Sequence, residues 1–151
     1  MRLGLITFLS VFISSLAVAQ IQQNDFPTEW TLYNTFDSVQ VEYMTKECNS
    51  GNVKNQVLVL FRYTNTSSNE KNMTWSVKEW RNGDCTNCYD IGSHEYERQI
   101  ILTPGEVLFG DGTTKEDRNV YIFSSFINLI KGMRDTKLTA FEFVNVNVVE
   151  N

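Results

Sequence analysis

Hydrophobic and polar residues alternate along most of the chain from residue 36 onward, and an alternation with a period of two predicts β-strands. In the first such run Val39, Val41 and Tyr43 alternate with Gln40 and Glu42. Turn-forming residues separate the runs at intervals of about 8–12 residues, which favours an antiparallel sandwich or barrel over an α/β fold. Six further strands are predicted at residues 57–63, 73–77, 96–102, 107–109, 120–126 and 138–149.

The second run differs from the others because it is apolar on both faces. Val57, Val59 and Phe61 alternate with Leu58 and Leu60 rather than with polar residues. A strand that is covered on both faces has this continuous apolar pattern, so we expect the strand at 57–63 to be central in its sheet. The predicted core comprises Val41, Val59, Phe61, Trp75, Val77, Ile100, Ile122 and Phe141.

Two segments are less regular. Residues 20–35 are polar with scattered aromatic residues, and we expect a leader segment that packs only through Phe26, Trp30 or Tyr33 and precedes a domain at 36–151. Residues 121–130 begin as a strand, but apolar residues at 123, 126, 127 and 130 also fit a helical stripe. This segment is expected to close either as a strand or as a helical turn.

The first nineteen residues have the pattern of a secretory signal peptide. Arg2 precedes an apolar run from Leu3 to Val18, and the run ends in Ala17-Val18-Ala19, a small-x-small pattern that precedes signal cleavage. A membrane span needs about 20 apolar residues, and the Ala-x-Ala ending explains the segment better. We therefore expect export to the periplasm or the extracellular space, with no membrane span after cleavage.

The net charge of −5 and the pI near 4.9 limit the classes of partner. Without a basic run the chain lacks the electrostatic footprint of nucleic-acid binding, and it also lacks a polybasic segment for anionic membranes. The single histidine leaves little room for a catalytic triad or a multi-histidine metal site. No cofactor is predicted.

The three cysteines are the most specific chemical feature. Cys48 follows the first predicted strand, and Cys85 and Cys88 lie in the loop after the third. In an up-and-down order of strands both places fall at the same end, so we expect a disulfide from Cys48 to Cys85 or Cys88 with one thiol left over.

Other arrangements of the cysteines remain open. Cys85 and Cys88 can bond to each other, the odd thiol can link two chains, and the Cys-x-x-Cys segment can serve in redox chemistry. A zinc site is a further alternative, with Cys48, Cys85, Cys88 and His94 as its ligands.

Three loops are expected to share the cysteine end of the fold: residues 48–51, 82–93 and 110–118. The acidic stretch 111–117 misses the ligand positions of an EF-hand and is interpreted as a solvated turn. If the protein binds a ligand, we expect the site among the polar and aromatic residues of these loops: Trp80, Tyr89, Asp90, His94, Asp111 and Asp117.

Several segments resemble small exported bacterial proteins of unknown function with an immunoglobulin-like fold. The resemblance spans roughly residues 36–148 and rests on Cys48 and on the segments VLVLFRYTNTSS (57–68), WSVKEWRNGDCTNC (75–88), LTPGEVLFGD (102–111) and KLTAFEF (137–143). It implies an immunoglobulin-like antiparallel β-sandwich of about seven strands and no activity, substrate or catalytic residue. Proteins of this kind often carry a fourth cysteine near the position of Asp111 or Gly112, which this chain lacks.

Two functions follow from these patterns. The first is an exported, non-enzymatic binding or structural module of the cell envelope or the secreted fraction, with an envelope or extracellular protein or a glycan as its partner. The alternative is an extracytoplasmic enzyme at the same loop end, either a hydrolase with paired carboxylates or a thiol-redox protein.

Cleavage of the signal peptide gives the first testable prediction. Mass spectrometry of the protein recovered from an exporting host should show a chain that begins at Gln20, because signal peptidase cuts after a small-x-small sequence. A chain that retains Met1 would contradict export through this signal.

Overall fold

The computed structural model describes residues 21–22, 26–92 and 96–150. The predicted signal segment and His94 lie outside the described residues. The described part contains ten strands and no α-helix: β1 (Ile21–Gln22), β2 (Thr31–Phe36), β3 (Val39–Ser50), β4 (Val53–Asn65), β5 (Lys71–Arg81), β6 (Asp84–Cys85), β7 (Glu97–Leu102), β8 (Val107–Phe109), β9 (Tyr121–Phe126) and β10 (Leu138–Glu150).

The strands form two antiparallel sheets. Sheet 1 has the order β2-β3-β4, and β8 and β9 pair one after the other with the free edge of β4. Sheet 2 has the order β1-β10-β5, with β6 and β7 along the far edge of β5, and it is curled like half a barrel. All seven predicted strands are present, so the prediction of an all-β antiparallel fold is confirmed.

The leader segment contributes a strand that the sequence pattern did not predict. Strand β2 pairs with β3 from Thr31, opposite Tyr43, to Phe36, opposite Val39. Its alternation is hidden because most of its side chains are half-buried or exposed. Tyr33 and Phe36 are half-buried, and both rings pack against the core. The Tyr33 hydroxyl oxygen also accepts a hydrogen bond from the Phe143 N–H at 3.0 Å.

The segment at 121–130 is a strand over Tyr121–Phe126 and irregular chain over 127–130. Strand β9 ends at Phe126 and the chain then bends away, so the helical alternative is wrong. Asn55 explains the ending, because its backbone carbonyl accepts from the Ile127 N–H and its side-chain oxygen accepts from the Asn128 N–H. Both N–H groups therefore find their acceptors on β4 rather than within a helical turn.

An aromatic core fills the space between the sheets, and every predicted core residue belongs to it. Phe141 lies at its centre, with ring centroids 5.5 Å from both Tyr43 and Phe61. Trp75 is 1% exposed and stacks on Phe143 at 5.7 Å with an interplanar angle of 16°. Close aromatic pairs of this kind stabilise a fold by more than the burial of their surface area alone.

The two ends of the fold are formed by different turns and loops. At the bottom end the buried ammonium of Lys71 lies 2.6 Å from Glu150 and 3.0 Å from Asp37, which joins β5 to β10 and to the β2–β3 turn. The hydrogen bond from Lys71 lowers the pKa of the Glu150 carboxyl. Glu106 lies at the same end, where its backbone carbonyl accepts from the Asn65 N–H. The top end carries the β3–β4 and β5–β6 turns and the loop between β9 and β10.

Replacement of Trp75 tests the position of the core. Trp75→Ala should lower the free energy of unfolding by about 3–5 kcal/mol, because it removes a large buried side chain and leaves a cavity. Leu32→Ala is the control: Leu32 is 54% exposed, and its loss should change stability by about 0.5 kcal/mol or less. Equal midpoints of denaturant unfolding for the two variants would place Trp75 outside the core.

Candidate functional site

The loop at residues 110–117 covers the outer face of sheet 1 and forms a cleft there. On this face Leu58 and Leu60 are almost completely buried, although they point away from the central core. The loop lies over Leu60, and the cluster that holds both leucines is also covered by Trp30, Met44, Tyr121 and Phe123. This confirms the prediction that β4 is covered on both faces. The loop is fixed at its start and near its middle: the Gly110 N–H donates to the Phe61 carbonyl, and the Asn52 N–H donates to the Thr113 carbonyl.

The cleft has a volume of about 200 Å³. Its apolar part comes from Leu60, Leu108 and Val120, and two aromatic residues, Phe109 and Tyr121, add ring surface. Asp111 and Asp117 supply the carboxylates, so two of the six predicted binding residues line one cavity. Sequence analysis missed Phe109 and Tyr121 as site residues, although the apolar outer face of β4 was a signal that another segment covers it.

Both carboxylates of the cleft accept hydrogen bonds from their own loop. Asp111 accepts from the Thr113 N–H at 2.7 Å and from the Thr113 hydroxyl at 2.8 Å, and these bonds lower the pKa of the Asp111 carboxyl. Asp117 accepts from the Asn119 N–H at 2.8 Å and caps a 3-10 turn at Arg118–Val120. Asp111 is therefore a fixed, ionised acceptor at neutral pH.

The other predicted binding residues of the described part lie on sheet 2. Trp80 is half-buried on β5 opposite Cys85, and Tyr89, which is 98% exposed, belongs with Asp90 to the loop after β6. Asn87 holds this loop against β5 by donating to the Val77 carbonyl at 2.8 Å and accepting from the Glu79 N–H at 2.9 Å. The cleft is lined by none of Trp80, Tyr89 and Asp90.

The predicted disulfide from Cys48 is wrong. Cys85 and Cys88 bond to each other, with their Cα atoms 5.8 Å apart, and Cys48 is a free, buried thiol. The reason lies in the alternation of β3, where Cys48 shares the outer face of sheet 1 with Met44 and Lys46 while Cys85 lies at the edge of sheet 2. The two sites share an end of the fold but belong to different sheets.

The same geometry removes the zinc alternative. Two of its four ligands, Cys85 and Cys88, are joined in a disulfide, and Cys48 lies on the other sheet. The redox alternative also lacks its usual setting, because Cys85 is at the end of a two-residue strand rather than at the N-terminus of a helix.

Cys48 fits against the loop that forms the cleft. A Cβ atom at Gly112 would lie 2.5 Å from the Cys48 Sγ, so only glycine allows the loop to approach so closely. Gly112 also has a φ of +78°, which side chains other than glycine rarely adopt. Burial raises the pKa of the Cys48 thiol and keeps it protonated at neutral pH.

Comparison of the chain with family models, with curated proteins and with solved structures finds no match. In the described part of the chain, no helix has the length and apolar character that crossing a membrane requires.

The contact of Gly112 with Cys48 can be tested with a matched glycine. Gly105 has a similar φ of +74° but open space where its Cβ would be, so Gly105→Ala measures the backbone cost alone. Gly112→Ala should lower the free energy of unfolding by about 1–3 kcal/mol more than Gly105→Ala, because it forces a methyl group onto Sγ.

A substitution at Cys48 completes the test. Adding Cys48→Ala should restore most of the extra loss in Gly112→Ala, because it removes the atom that clashes. Denaturant unfolding of these three variants and of Cys48→Ala alone measures both differences. Equal losses for the two glycine variants would show that the loop does not rest on Cys48.

Proposed function

We propose that the protein is an exported, non-enzymatic binding module and that the cleft under the 110–117 loop is its binding site. The size of the cleft carries the proposal. Small-molecule sites usually have about 300–1,000 Å³, whereas this cleft has about 200 Å³. It therefore suits one protruding group, such as a side chain or a sugar ring, of an envelope or extracellular protein or a glycan.

The lining of the cleft favours an amphipathic group. Leu60, Val120 and the rings of Phe109 and Tyr121 offer apolar contact, and the rim carboxylates accept hydrogen bonds from ammonium or hydroxyl donors. Thr113 already fixes the Asp111 side chain by hydrogen bonds, so ligand binding does not have to meet the entropy cost of ordering this side chain.

Export and an immunoglobulin-like sandwich are part of the proposal. The signal-like segment at 1–19 supports export, and a disulfide between Cys85 and Cys88 is compatible with an oxidising compartment. The two antiparallel sheets are compatible with the resemblance to small exported immunoglobulin-like proteins. Gly112 adds support, because those proteins often carry their fourth cysteine near this position and Gly112 lies against Cys48.

The enzymatic alternative is less well supported. A hydrolase with paired carboxylates needs one of them protonated as a general acid, and the lowered pKa of Asp111 excludes Asp111 from that role. A thiol nucleophile needs a lowered pKa, whereas burial raises that of Cys48. These are reasons to prefer binding over catalysis.

A photo-crosslinking experiment in the exporting cell tests the binding site. Phe109, which is 55% exposed at the cleft, is replaced by benzoylphenylalanine, and the matched control has the same replacement at Ile101, which is 53% exposed on sheet 2. We expect a discrete adduct from position 109 and none from position 101.

A second substitution separates binding from folding. Asp117→Asn removes a charge but keeps a side-chain oxygen that can cap the 3-10 turn, so it should weaken the adduct from position 109 and leave the fold intact. No adduct at position 109, or equal adducts at both positions, would contradict the proposed site.

The redox alternative has its own measurement. The oxidised protein should not catalyse the reduction of insulin by dithiothreitol beyond the level of a Cys85→Ser/Cys88→Ser variant. A rate that depends on these two cysteines would overturn the non-enzymatic part of the proposal.

A further inference from the structure

The loop between β9 and β10, residues 127–137, presents bare apolar side chains at the top end of the fold. Leu129 is 48% exposed, Ile130 66% and Met133 42%, and no other loop in the described residues exposes three large aliphatic side chains. A turn closed by the hydrogen bond from the Met133 N–H to the Ile130 carbonyl forms its tip, and Gly132 supplies the required φ of +93°.

Two asparagine side chains hold the ends of the loop by hydrogen bonds. Asn55 donates from its side-chain amide to the Asn128 carbonyl at 2.7 Å and accepts from the Asn128 N–H at 2.8 Å. Asn82 donates to the Asp135 carbonyl at 2.8 Å and accepts from the Lys137 N–H at 3.1 Å. Both asparagines hold a left-handed backbone conformation, with φ of 57° and 52°.

The hydrogen bonds of Asn55 and Asn82 fix the two ends of the loop, one to sheet 1 and one to sheet 2. The apolar side chains between these ends are exposed. An exposed apolar group without a covering surface is typical of a contact site.

The charges of the loop oppose those of the chain as a whole. Residues 127–137 contain Lys131, Arg134 and Lys137 with a single acid, Asp135, in a chain with a net charge of −5. Lys137 pairs with Asp135 at 3.6 Å, whereas within the described ranges no ion pair involves Lys131 or Arg134. The acids Asp37, Glu106 and Glu150 lie at the bottom end, away from the loop.

We propose that the 127–137 loop docks on an anionic phospholipid surface, with Leu129, Ile130 and Met133 inserted at the headgroup level and Lys131 and Arg134 paired with lipid phosphates. Apolar side chains flanked by cations bind this kind of interface through both burial and charge. The acidic bottom end would then point away from the surface. The proposal rests on export, since it places the lipid outside the cytoplasm.

A lipid surface fits the loop better than a protein partner. A stable protein interface uses about 20–30 residues on each side and a complementary flat or concave surface. The loop offers three exposed apolar side chains and two cations that form no ion pair among the described residues. This surface is too small for such an interface but sufficient for reversible attachment to a bilayer.

Vesicle sedimentation tests the proposal with the protein recovered after export, whose N-terminus is first determined by mass spectrometry. The probes are vesicles of equimolar phosphatidylcholine and phosphatidylglycerol, with pure phosphatidylcholine for comparison. We expect binding to the anionic vesicles that weakens at high salt, and weaker binding to the neutral vesicles, because each cation near an anionic surface contributes about fivefold.

A pair of double variants assigns the binding to the loop. Ile130→Ser/Arg134→Glu should reduce the affinity for anionic vesicles by about tenfold or more. The control, Ile101→Ser/Lys115→Glu, changes an equally exposed isoleucine and an exposed lysine elsewhere and should bind as the wild type does. Both variants change exposed residues, and their unfolding midpoints show whether they fold.

Three results would overturn the proposal. The first is no sedimentation of the wild type with anionic vesicles. The second is equal binding by the two double variants, which would assign attachment to another part of the chain. The third is a concentration-dependent dimer that Ile130→Ser abolishes, without vesicle binding, which would assign the loop to a second copy of the chain. A retained Met1 would contradict export separately from any vesicle result.

Discussion

The burial of β4 on both faces is the constraint on which the rest of the structure depends. Phe61 points into the aromatic core between the sheets, while Leu58 and Leu60 on the opposite face also need cover. Burying an aliphatic side chain contributes about 1.5–3 kcal/mol, so leaving both leucines in water would be costly for a domain of this size. The 110–117 loop covers Leu60, and Gly112 and Cys48 set how closely it approaches. The rest of the cover comes from Trp30, Met44, Tyr121 and Phe123, which pack against the cluster that includes Leu58.

The candidate site follows from this cover. Because the loop crosses an apolar sheet face, the cavity beneath it has an apolar floor and a rim of loop residues. The short polar side chains of Asp111 and Asp117 stabilise the loop by accepting its own N–H groups, and the same carboxylates remain at the rim. The groups that fold the loop and the groups that could meet a ligand are therefore the same.

The 127–137 loop shows why a charge average can mislead. The net charge of −5 and the lack of a basic run argue against attraction to anionic surfaces. Folding moves Glu150 and Asp37 to Lys71 at the bottom end, while Lys131 and Arg134 stay beside exposed apolar residues at the top. An electrostatic contact depends on the local charge within about a Debye length, so the distribution decides.

The sequence by itself determined the all-β fold, seven strands and the core, because period-two alternation is a local property that burial on one face imposes. It missed β2, in which no side chain is fully buried and only Tyr33 and Phe36 pack against the core, so the strand shows no clear alternation. Which sheet each strand joins was decided only by tertiary structure, since alternation assigns a face but not a partner. That is why Cys48 and Cys85, expected to bond, lie on different sheets, and why Asp111 and Asp117 share a cleft without Trp80.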